Sequence, residues 1–164
     1  MAQNDLHLLD QSLEEANKWL EEIAQEMRGV DRQVAYHALR GVLFAIRDRI
    51  PPDDAHNLAA QLPIIIRGIY FEGYKPAGKP LKFRDSQQFL DYILNELTTT
   101  GDEGRVLDAF RAVLTVLDRR LSGNEIGRIR QIMPEEIRNI WPELTQETTA
   151  SVRTGVSAEA NRTT

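Results

Sequence analysis

The sequence predicts an all-α fold, a tandem duplication of a four-helix unit packed as one domain with pseudo-two-fold symmetry. Three observations lead there. Displaced against itself by 71 positions, the 164-residue sequence lays Asp31–Tyr70 over Asp102–Trp141 without a gap, and ten pairs are identical, among them Ala38/Ala109, Arg40/Arg111, Arg49/Arg120, Pro63/Pro134 and Arg67/Arg138. Apolar residues in both copies recur at three- and four-residue spacing, the period of a helix with one buried face. A unit of about 70 residues buries too little surface to be stable alone, so the two copies are expected to share a core that takes in Ile64–Ile66, Trp19, Phe110 and Trp141.

The elements follow in order. After a lead over 1–9, the first helix is expected to start near Asp10, with Ser12 and Glu15 as a capping box. Leu13, Ala16, Leu20, Ile23 and Met27 form its buried stripe, with Trp19 beside them, and Gly29 ends it. Asp31 caps a second helix carrying Val34, Ala38, Leu39, Val42, Leu43, Ile46 and Ile50, which Pro51-Pro52 stops. Pro52, Asp53 and Asp54 suit the first turn of a third, short helix. Ile64–Phe71 alone reads as a strand, but its repeat partner EEIRNIW has two glutamates directly after Pro134, a helical first turn, so both segments are assigned as short helices.

A Gly/Pro/Lys-rich linker over 75–84 joins repeat 1 (10–74) to repeat 2 (85–142). Asp85 or Ser86 caps the next helix, with Phe89, Ile93, Leu94 and Leu97 buried. Asp102 should start the long helix that carries Val106, Ala109, Phe110, Val113, Leu114, Leu117 and Leu121, and Ser122-Gly-Asn-Glu125 has the form of a second capping box. The tail over 143–164 loses periodicity and is expected to be flexible.

Composition narrows the chemistry. The chain has no Cys, which excludes disulfides, thiol nucleophiles and iron–sulfur clusters. No apolar stretch resembles a signal peptide or approaches the roughly 20 residues of a spanning helix, so a cytoplasmic protein without a membrane partner is expected. The net charge of −5 disfavours a dedicated nucleic-acid binder, although residues 28–84 hold ten basic against five acidic residues. His7, His37 and His56 have no partner at metal-ligand spacing. Gly73–Pro80 fits G-x-x-x-x-G-K but puts Pro80 where a phosphate loop needs Ser or Thr. No catalytic, cofactor-binding or metal-binding residue is therefore assigned, and no cofactor.

What stands out instead is the repeated arginines Arg40, Arg67, Arg111 and Arg138, readable as structural ion pairs and caps or as symmetry-related anion contacts. A non-catalytic helical module for protein–protein interaction or self-association fits best. The alternatives are nucleic-acid or anion binding through the basic 28–84 region, and a small-molecule binder or enzyme with a pocket between the repeats.

The stretches AYHALRGVLFAIRDRIPPDDA (Ala35–Ala55) and AQLPIIIRGIYFEGYKP (Ala60–Pro76), with the weaker second copies AFRAVLTVLDRRL and IMPEEIRNIWP, resemble the bacterial domain-of-unknown-function family 2267 over roughly Ala16–Pro142. The resemblance implies an all-helical, internally duplicated domain. It implies no reaction, cofactor or catalytic residue.

Overall fold

The computed structural model describes residues 2–83 and 85–144. It is all-helical: α1 (Ala2–Glu26), α2 (Arg32–Arg49), α3 (Pro52–Ala60), α4 (Ile64–Phe71), α5 (Ser86–Thr98), a 3₁₀ turn (Glu103–Arg105), α6 (Val106–Arg120), α7 (Glu125–Ile132) and α8 (Glu135–Ile140), with no strand among the described residues. No helix there is long and apolar enough to cross a membrane. The span of α2 moved by 71 positions covers the 3₁₀ turn and α6 together, and that of α4 begins where α8 begins. Residues 145–164, most of the expected tail, lie outside the described residues.

Local chemistry sets most boundaries as the sequence predicts. The Asp31 carboxylate accepts from the Gln33 amide at 2.8 Å and opens α2. Asp85 does the same for α5 through Gln88, at 3.1 Å. Pro52 stands in the first turn of α3 with Asp53 and Asp54 at the positive end of the helix. Ile64–Phe71 is helical, as its repeat partner argued.

Three starts differ. α1 begins at Ala2, not near Asp10, so Ser12 is inside the helix and its hydroxyl donates to the Leu8 carbonyl instead of capping. The second capping box also does not form. Gly123 and Asn124 both take positive φ, no side chain caps α7, and the Glu125 carboxylate accepts from Arg128. Asp102 leads into the 3₁₀ turn without a side-chain cap, and α6 proper starts at Val106.

The core runs through both halves as a single cluster. Trp19, Phe110 and Trp141 are buried in it as expected, and Phe89–Phe110–Trp141 form a chain of edge-on ring contacts at 5.5 and 5.3 Å. Ile66 is buried, Ile65 half-buried and Ile64 exposed, because the first turn of α4 shows only one face to the core. Leu94 is likewise half-buried. Among the described residues, α2 and α5 pack more extensively than any other helix pair. The halves also exchange ion pairs. Arg40 of α2 donates to Glu96 near the end of α5 at 3.2 Å, while Arg111 of α6 donates to the Glu26 carbonyl at the end of α1 at 2.9 Å.

The linker is tied down. The Leu81 amide donates to the Asp48 carbonyl at 2.7 Å, and Phe83 packs edge-on against Phe89 and Tyr92.

Candidate functional site

The repeated arginines are occupied by groups of the protein itself. Arg67 donates from Nε to the Ala59 carbonyl at 2.9 Å and from Nη2 to Leu62 at 3.0 Å, closing the carbonyl end of α3. Arg138 repeats this on α7 with one bond, to Met133 at 2.8 Å. Leu62 and Met133 are themselves repeat partners. Arg40 pairs with Glu72 and Glu96 and lies over the Phe44 ring at 4.9 Å. Arg111 has the Glu26 carboxylate at 3.7 Å in addition to its carbonyl. Every one of the four serves an internal acceptor, the capping and ion-pair role.

Arg67→Ala should therefore destabilise the protein by about 1–3 kcal/mol, since two helix-end carbonyls lose a charged donor, and Arg138→Ala by about half as much. Chemical denaturation of the two variants checks this. Equal, negligible losses would show that water replaces the guanidinium without cost.

A second polar group sits deeper. Arg47 and Asp48 are almost fully buried, and Arg47 donates to the Tyr70 and Glu72 carbonyls, each at 2.6 Å, and to the Asp48 carboxylate at 3.2 Å. The Tyr92 hydroxyl donates to Asp48 at 3.0 Å, and burial together with that carboxylate pushes the Tyr92 phenol up to about 12. These contacts around an ion pair form a clasp between α2, α4 and α5.

The histidines are similarly engaged. His37 Nδ1 lies 2.8 Å from the Glu96 carboxylate, and His56 Nδ1 lies 2.8 Å from the Pro52 carbonyl with its ring beside Phe71. No group of three or more metal-ligating side chains comes together among the described residues.

A cavity of about 520 Å³ opens between α1, the α3–α4 turn and the end of α6, lined in part by Glu15, Trp19, Glu22, Leu62, Arg119 and Arg120. Its charges cancel locally. Arg120 donates to Glu22 at 2.7 and 3.0 Å and to Glu15 at 3.0 Å, and Arg119 to Glu26 at 2.9 Å. The Arg120 hydrogen bond holds the Glu22 carboxyl below the usual carboxylate range. Both guanidiniums that line the cavity are thus engaged by carboxylates of α1.

Among the described residues, exposed large apolar side chains cluster in the first half of α1. Leu6, Leu8, Leu9 and Leu13 are 63, 60, 64 and 56% exposed. Among the described side chains of this helix the first buried one is Ala16, so Leu13 does not belong to the core stripe as the sequence suggested. Leu6, Leu9, Leu13, Ala16, Leu20, Ile23 and Met27 follow one another at alternating three- and four-residue steps, a heptad seam running the length of the helix. Its last four members pack inside the domain and its first three face solvent. Reading 1–9 as a lead missed the two leucines that extend the seam; their register with Leu13 was the available signal.

The family model described as an uncharacterized conserved protein (DUF2267) matches residues 16–154. No curated protein matches the chain.

Proposed function

We propose that this chain, which belongs to the DUF2267 family, is a non-catalytic helical module that works by binding other proteins or its own copies. The observation that carries this reading is the leucine stripe Leu6–Leu13 on a helix that continues beyond the domain core. Clustered apolar side chains on a rigid, projecting helix are costly to keep in water and mark interaction surfaces. The polar clusters at Arg47, Arg67 and Arg120 are in keeping with it, because their charged groups pair with one another or with helix-end carbonyls.

We further infer that the two four-helix units arose by duplication and pack about a pseudo-two-fold axis. The 71-residue coincidence of helix starts and the crossed pairs Arg40–Glu96 and Arg111–Glu26 support it. Superposing the units would refute the symmetry if the rotation were far from a half-turn.

Native mass spectrometry of the untagged full chain, purified gently from its own host, tests the functional reading. The expected spectrum shows a homo-oligomer or a stoichiometric complex with another chain. A monomer retaining a few hundred daltons of small molecule would overturn it and redirect attention to the cavity beside Trp19.

A further inference from the structure

We infer that the overhang of α1 docks a basic amphipathic helix of a partner protein along Leu6, Leu9 and Leu13. This rests on the interaction reading above and names the surface and the chemistry of its occupant. The overhang is an addition to the four-helix unit. α5, which starts the second unit, begins at Ser86, level with residues 15 and 16 of α1 at offsets of 71 and 70. The first half thus carries nearly four extra turns of helix with no counterpart. The first described buried side chain of α1 is Ala16, and Leu6, Leu9 and Leu13 lie outside the core. Their leucines nevertheless keep the phase of the buried seam. An incoming helix laid on them would continue, end to end, the packing that the domain's own helices give Ala16–Met27.

Charge decides between occupants. Residues 2–14 contain Asp5, Asp10 and Glu14 and no Lys or Arg, while the Glu15 carboxylate is taken up by Arg120. At about 100° per residue Asp10 falls beside the stripe, where a paired helix presents its flanking side chains. Two copies laid together, parallel or antiparallel, would bring acids against acids, which disfavours self-pairing. The same acids disfavour an anionic membrane surface. A helix with leucine-type residues facing the stripe and Lys or Arg at its borders satisfies both features. Because only a few turns are engaged, the complex belongs to the weak, transient class of interfaces.

The test is calorimetric titration of the full chain with two synthetic 21-residue amphipathic helices. They share a leucine seam and differ only in having lysine or glutamate at the flanking positions. The lysine helix is expected to bind at least tenfold more tightly than the glutamate helix, and the difference should shrink with added salt. Combining Leu6→Ser, Leu9→Ser and Leu13→Ser should weaken the lysine helix at least tenfold with no change in melting temperature. Asp10→Lys should shrink the preference for the lysine helix.

Equal binding of the two probes, binding that survives the serine changes, or a fall in melting temperature on making them would each overturn the proposal. If neither probe binds but native spectra show a homo-oligomer lost in the serine variant, this proposal falls and the interaction reading stands with a second copy as occupant. If neither probe binds and the chain stays monomeric and unpartnered, both fall.

Discussion

Gly41→Ala should lower the stability of the protein by about 1–3 kcal/mol, a melting-temperature drop of roughly 2–12 °C. On helix propensity alone the substitution would gain about 1 kcal/mol, because glycine is a poor residue in mid-helix. Packing opposes that gain. A Cβ at Gly41 would stand 2.8 Å from the Cα of Ile93 and 3.2 Å from the Tyr92 carbonyl oxygen. Both obstacles are backbone, so no rotamer change relieves them and α5 must shift bodily. α5 cannot shift cheaply, because Phe89, Ile93 and Leu97 are locked into the core on the same helix. The repeat supplies an internal comparison. Ala112 stands opposite Gly41 in the alignment, and α6 packs on α1 less extensively than α2 packs on α5. A thermal melt of Gly41→Ala checks the sign; a raised melting temperature would mean that the α2–α5 contact yields freely and that propensity wins.

The features legible in the sequence were those with a local cause. Asp31 and Asp85 cap, Pro52 opens and Gly29 closes helices within one turn of where their chemistry acts, and the repeat turned Ile64–Phe71 from strand to helix. The failures have a different origin. Ser12-x-x-Glu15 and Ser122-x-x-Glu125 both match a capping box, but the pattern carries no knowledge of what precedes it. Ala2–Gln11 continues a helix through the first, and two residues at positive φ preclude the second. Leu13 has the right phase to be buried, yet periodicity reports only a face, and whether anything covers that face depends on where the neighbouring helices end. The same limit hid the candidate docking surface. The four arginines stand out because they recur at an offset of 71 positions, whereas Arg47, the most buried cation among the described residues, does not, its counterpart being Asp118.

That asymmetry makes Arg47→Met the second substitution with a large expected effect, a loss of about 3–5 kcal/mol. Methionine approximates the volume and keeps the contact with Phe44, over which the guanidinium lies at 4.1 Å. What it removes is the charge and the donors. The Tyr70 and Glu72 carbonyls at the end of α4 lose their partner, and the nearly buried Asp48 carboxylate keeps only the Tyr92 hydroxyl and no cation. Leaving a charge buried and unpaired is what makes the single change expensive, so Arg47→Met with Asp48→Asn should recover part of the loss. The damage should also be local at first. Asp48 holds the linker through the Leu81 amide, and Arg47 fixes Glu72 just before the linker begins. Hydrogen exchange at Leu81 is therefore expected to quicken more than at Ile93 in the α5 core. A denaturation midpoint close to that of the parent, or a double variant weaker than the single, would show that the clasp is not held by this ion pair.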